Sequence, residues 1–215
     1  MSFVIKLRTL VLRGLLEPSV RKFLVTRMSR DEAGMTLDAV WSGYAELAPS
    51  VPKDEGFGPT QVLHLAAITI ALHQALIDSG RTHEAAAQLV EDVGWVVYRK
   101  MGAVAWILSR AAGKDKFQRM RAATQIFRRF PFSSPAYQWT EVVSTANVVA
   151  FDCVRCPVAQ YFASKNNAAL CVRTFCNLDF PLAKDWEAEL ERTGSIASGA
   201  ERCDFRWRYA AKLSI

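Results

Sequence analysis

Residues 61–79, QVLHLAAITIALHQALIDS, are apolar on most sides of a helix, and such a helix is stable only where other structure surrounds it. His64, His73 and Gln74 break the run, leaving it shorter than the ~20 apolar residues of a membrane span. The segment therefore reads as the central helix of a bundle. Thr60 is placed to cap its start and Gly80 to end it.

Its neighbours carry helical signals as well. Apolar residues recur three and four apart in SVRKFLVTRMSRDEAGM (19–35) and TLDAVWSGYAELA (36–48), and the Pro- and Gly-rich PSVPKDEGFGP (49–59) reads as a loop. Thr82 caps HEAAAQLVEDVGWVVYRKMG (83–102), and a further helix runs through KDKFQRMRAATQIFRRF (114–130) until PFSSPAY stops it. His64, His73 and His83 have no carboxylate or cysteine at ligand spacing, so they read as core or surface side chains.

The character changes near Gln138. WTEVVSTANVVAFDC (139–153) is rich in Val, Thr and aromatic residues, which favours strand. Pro157 suits the first turn of a short helix, PVAQYFASKNN. ELERTGSIASGAERCDFRWRY (189–209) reads as two strands joined by a turn around Gly199. In its second arm Cys203, Phe205, Trp207 and Tyr209 share one face, and Asp204, Arg206 and Arg208 share the other. The expected class is α+β: a helical part over 1–135 packed on an antiparallel, cysteine-rich α+β part over 136–215, the two forming one domain.

A composition of 51% hydrophobic and 22% charged residues excludes a disordered chain. The net charge of +6 is concentrated in two basic stretches, 1–30 and 114–129. Neither has the interleaved aromatics or Gly-rich turns of a nucleic-acid motif. Both read as solvated helix faces, with no nucleic-acid partner, and the sign suits a small anionic substrate. The first residues add charge and lack a small-residue cleavage site, so the expectation is a cytoplasmic protein with no signal peptide and no membrane span.

All five cysteines fall in the last third, and their odd number suggests free thiols in a reducing compartment. Three chemical readings stand beside simple packing of small apolar side chains. Cys153-x2-Cys156 and Cys171-x4-Cys176 offer four thiolates to a structural zinc, although the second spacing is unusual. Cys-x-x-Cys at a helix start suits a redox couple, but no βαβ unit accompanies it. The third reading is one activated thiol: Cys156, just before Pro157, occupies a helix N-cap where amides and dipole favour thiolate. Asp152 is placed to orient a proton or to bind a cationic amidine.

RCP (155–157), TFCNLDFPLAKDW (174–186), LERTGSIASGA (190–200) and RCDFRW (202–207), in that order, resemble the L-2-amino-thiazoline-4-carboxylic acid hydrolase family. A weaker likeness extends upstream through LHLAAITIALHQALIDSGRTHEAAAQLV. The pattern matches at Cys156, Cys176, Asp179, Arg192, Thr193, Gly199, Cys203, Asp204 and Phe205; Cys153 and Cys171 are additional. The resemblance implies hydrolytic opening of a small cyclic amidine on a bacterial route to L-cysteine, with no cofactor. In that chemistry a thiolate attacks directly or a carboxylate activates water. Cys156, Cys176, Asp179, Cys203 and Asp204 are then the candidate catalytic groups, and Arg192, Thr193 and Asp152 the candidates for holding substrate, Arg192 by its carboxylate. The ending G-x-x-x-C-D-F also resembles the vinyl-reductase-type small-ligand fold, which implies a rival function: a domain that binds a hydrophobic ligand without turnover. Association into homo-oligomers is compatible with either.

Overall fold

The computed structural model describes residues 3–53, 56–145 and 147–209. Five long helices come first: α1 (Phe3–Leu24), α2 (Arg30–Leu47), α3 (Phe57–Asp78), α4 (His83–Leu108) and α5 (Lys116–Arg129). Strands β1 (Gln138–Glu141) and β2 (Val148–Arg155) follow, then short helices α6 (Pro157–Ser164), α7 (Ala168–Thr174) and α8 (Asp179–Asp185), and strands β3 (Ala188–Glu191) and β4 (Cys203–Tyr209). The strands form one antiparallel sheet in the order β1-β2-β4-β3. This is the expected α+β class, helices first and sheet last.

α3 is the central helix, packed against α2, α4 and α6. Among the described residues it is the one helix long and apolar enough to cross a membrane by length and composition, and more than half of that stretch is buried inside the protein. His64 lies in this core, 2.8 Å from the Tyr44 hydroxyl, and burial holds its pKa down at about 4. His73 and His83 face each other with ring centroids 6.0 Å apart.

Three helix boundaries differ from the sequence expectation, each for a local reason. The stretch 19–35 contains a break, because the Ser29 side chain accepts from the Glu32 amide and starts α2 there. α3 begins at Phe57 rather than after Thr60, which is buried inside it. Pro59 falls within its first turn, where a missing N–H costs nothing. Residues 54–55 of the expected loop lie outside the described residues. α4 does not stop at Gly102 but runs on to Leu108. A Cβ at Gly102 would lie 2.2 Å from Leu182 Cδ1, and the Gly102 carbonyl accepts the Trp186 indole N–H at 3.1 Å. Glycine here lets Leu182 and Trp186 of the α8 region approach α4 closely.

Other expectations match. Thr82 caps α4, Gly80 takes a positive φ of 92° after α3, and Pro157 opens α6 with Cys156 at its N-cap. The basic stretch 114–129 is not wholly a solvated face, however. The Arg119 guanidinium stacks 4.1 Å above the Trp106 ring, and that of Arg128 stands 4.6 Å above Phe151.

Candidate active site

The central strand pair β2–β4 sets the site. Its register places Cys153 opposite Cys203, Phe151 opposite Phe205 and Val149 opposite Trp207. Because side chains alternate along a strand, these six residues share one face. The sheet face is paved with rings: Phe151 stacks on Phe205 at 5.3 Å, Trp139 meets Phe151 edge-on at 5.5 Å, and Trp186 leans on Trp207 at 5.3 Å. Helices α4, α5, α7 and α8 roof this face and leave a cavity of about 110 Å³. All five cysteines, together with Asp179, Arg192, Tyr98 and Arg128, line it.

A carboxylate and the cation paired with it come from outside the strands. A 3-10 turn, Cys176–Leu178, leads directly into α8 at Asp179. At three residues per turn, Cys176 and Asp179 come onto one side. The Asp179 carboxylate accepts from the Tyr98 hydroxyl at 2.6 Å and from Arg192 Nη1 at 3.3 Å, and the same Nη1 donates to the Cys176 carbonyl at 2.9 Å. Both members of the ion pair are largely covered, the Arg192 side chain 5% and the Asp179 side chain 14% exposed. The Arg192 guanidinium also rests over the Phe180 and Phe205 rings, at 5.0 and 5.6 Å. Arg192 does not pair with Glu191, which binds Arg208 on the exposed side.

Burial raises the Asp179 pKa to about 6, although Arg192 and Tyr98 both favour the carboxylate. A carboxylate so placed is charged at neutral pH yet basic enough to take a proton. The thiols separate in the same way. Burial pushes Cys156 up to about 12, Cys203 up to about 11, and Cys153 well above its ordinary value. Cys176 alone is shifted down, because the Cys171 side chain hydrogen-bonds it and the Arg192 cation attracts its thiolate; Cys171 is pushed up in return.

Cys156 shows why position at a helix start is insufficient. Its sulfur does accept from the Ala159 amide at 3.5 Å, as an N-cap should. The pKa rises nonetheless, since burial outweighs that one long hydrogen bond. Cys203 and Cys153 are occupied locally: Cys203 Sγ accepts from the Ile196 amide at 3.2 Å, and the Cys153 thiol donates to the Arg155 carbonyl at 3.1 Å.

Three candidates stand away from the cavity. Asp152 and Asp204 face each other across β2–β4 on the opposite side of the sheet from Cys153 and Cys203. Asp152 pairs with Arg206 at 2.8 Å and Arg202 at 3.2 Å. Asp204 accepts from the Thr193 amide at 2.9 Å, the Gly194 amide at 3.1 Å and the Thr193 hydroxyl at 2.7 Å, and these donors hold its pKa below the ordinary value. Asp204 and Thr193 therefore brace the β3–β4 connection, and Asp152 anchors arginines of β4 and its approach. Among the described residues, no group of three or more His, Cys, Asp or Glu side chains is arranged to hold a metal ion.

Among the lining residues that sequence reasoning did not single out are Tyr98 and Arg128. Tyr98 carries no local signal: it sits mid-helix, 81 positions from the carboxylate it touches. Arg128 had one, the aromatic residues flanking it in FRRF.

No curated protein matches the chain. A family model does, over residues 61–207, more than half of the sequence and the span that builds nearly all of the cavity wall. On that match the chain belongs to the L-2-amino-thiazoline-4-carboxylic acid hydrolase family.

Proposed function

We propose that the protein hydrolyses a small cyclic amidine of the 2-amino-thiazoline-4-carboxylate type, with Cys176 as nucleophile and Asp179 as general base. The observation that carries this reading is the convergence of Cys176, Asp179 and Arg192 on one aromatic-walled cavity. The Cys176 sulfur adds to the amidine carbon, forming a C–S bond while the C=N electron pair moves onto nitrogen. Collapse restores the C=N bond and breaks one ring bond to the same carbon; the ring heteroatom leaves with that electron pair, and the carbon stays on Cys176. Water then loses one proton to the Asp179 carboxylate and adds to the carbon, expelling the Cys176 sulfur as thiolate. Asp179 passes that proton to the freed ring heteroatom, and the remaining hydroxyl proton moves to nitrogen as the C=O bond forms. One water is consumed and nothing is oxidised or reduced.

Arg192 holds Asp179 in place and favours the Cys176 thiolate, and Tyr98 fixes the second carboxylate oxygen. Stacked rings exclude water from the remaining wall, which strengthens each of these interactions. The test is incubation with 2-amino-thiazoline-4-carboxylate, followed by mass spectrometry. Gain of one water is expected, with Cys176→Ser slowed at least ~10³-fold while folded. Ligand that binds and is recovered unchanged would leave a binding protein and sink the hydrolase.

A further inference from the structure

The cavity wall is short of acceptors and rich in unused donors. Six buried side-chain polar atoms lack a hydrogen-bond partner among the described residues; three of them, Arg128 Nε, Tyr137 Oη and Trp207 Nε1, belong to residues of this one wall. All three are able to donate. Leaving such groups unpaired costs free energy, and in Arg128 the unpaired donor belongs to a cation that lines the cavity, which suits a ligand that supplies oxygen.

Charge points the same way. Two guanidiniums line the cavity, Arg192 and Arg128, against one carboxylate, Asp179. They stand over different rings of the Phe151–Phe205 stack, Arg128 over Phe151 and Arg192 over Phe205. Arg192 is committed to Asp179 and to the Cys176 carbonyl. Arg128 is not comparably held. Its side chain is 19% exposed, and its ion partner, Glu141, lies on edge strand β1 with a side chain 72% exposed. A pair with so solvated a partner is weak, and Arg128 keeps charge available to the cavity.

We propose that Arg128 is the carboxylate-binding pole of the cavity, and that Arg192 is not. The ligand class this selects is a small zwitterion or anion whose carboxylate meets Arg128 while its amidine end meets Asp179. A planar guanidinium suits that task because its paired N–H groups match a carboxylate. The inference rests on the hydrolase reading for the identity of the ligand, but its test reads binding rather than turnover.

Calorimetry of the full chain carrying Cys176→Ser, in which the proposed turnover is blocked, separates the possibilities with two probes: 2-amino-2-thiazoline-4-carboxylate, and 2-amino-2-thiazoline, which keeps the basic amidine and lacks the carboxylate. This parent should bind the first more tightly. Arg128→Gln in it should weaken the carboxylate probe about 10–100-fold without weakening the other beyond about twofold. Arg128→Lys keeps the charge and loses the paired N–H geometry, so it serves if Arg128→Gln does not fold; a selective loss of about 3–10-fold is expected. Equal weakening of both probes, no weakening of either, or no preference of the parent for the carboxylate would each overturn the proposal. Selective loss without turnover by wild type would sink the hydrolase and leave the anion pole. Turnover whose carboxylate preference ignores Arg128 would do the reverse.

Discussion

The two faces of the β2–β4 pair use one register to opposite ends. On the outer face, Asp152 and Asp204 lie directly across from each other, each satisfied by its own arginines or amides. On the inner face, one residue along, Cys153 and Cys203 sit against stacked rings with burial pushing both thiols up. The carboxylate we propose as base belongs to neither face: Asp179 arrives on α8, largely covered, with a raised pKa. Exposure does not separate them, since the Asp152 side chain is as closely covered as that of Asp179. A carboxylate held by several donors or by two cations of its own is a structural anchor, whereas one beside a single shared cation at a cavity suits a base. Local satisfaction separates the two roles better than residue type.

Exchanging the carboxylates breaks the comparison most sharply. Asp179→Asn should lower kcat by roughly 10²–10⁴-fold while leaving thermal stability level or higher, since a buried charge is removed. Asp204→Ala should do the converse, costing about 1–3 kcal/mol of stability in denaturant titration and leaving kcat within a few-fold, because its amide donors lose their acceptor. An Asp204 variant that stays stable and loses turnover would move the chemistry to the outer face.

The pH dependence follows from the same two groups, with opposite signs. Asp179 has a folded pKa of about 6 against about 3.9 in an unfolded chain, so the folded state binds more protons between those values. Its contribution to stability is fully present below about pH 4 and is lost as pH rises through about 6. Asp204, shifted down, contributes above the unfolded pKa and loses that contribution as pH falls below it. Asp179→Asn should flatten the loss of stability between pH 4 and 6, and Asp204→Asn should flatten the loss at more acid pH. In kcat/KM, an ascending limb near pH 6 should mark Asp179 becoming a carboxylate; a flat profile there would remove it as base.

The smallest expected effect is that of Tyr98→Phe. It deletes the 2.6 Å hydrogen bond that favours the Asp179 carboxylate, so the ascending limb should move to higher pH by about half a unit to one unit. The loss in kcat above the limb should stay within about tenfold. A limb that does not move would show that Tyr98 only packs.

The β4 alternation was legible in CDFRWRY, because a period of two separates Cys203, Phe205 and Trp207 from Asp204 and Arg206 whatever the strand pairs with. The proximity of Cys176 and Asp179 was legible from their spacing of three, which any tight helical turn closes. The activity of Cys156 was misread from the same kind of local reasoning. Its N-cap position was correct, but the surrounding walls make burial the larger effect.

What the chain alone determined is periodicity and order: the all-round apolar core helix, the cap at Thr82, and the strand faces. These depend on neighbours within a turn or a pleat. Tertiary structure decided which thiol is shifted down, which aspartate lines the cavity, and that Tyr98 and Arg128 meet the sheet there. Those outcomes depend on burial and on charges brought together through space, and neither quantity is defined until the helices close over the sheet.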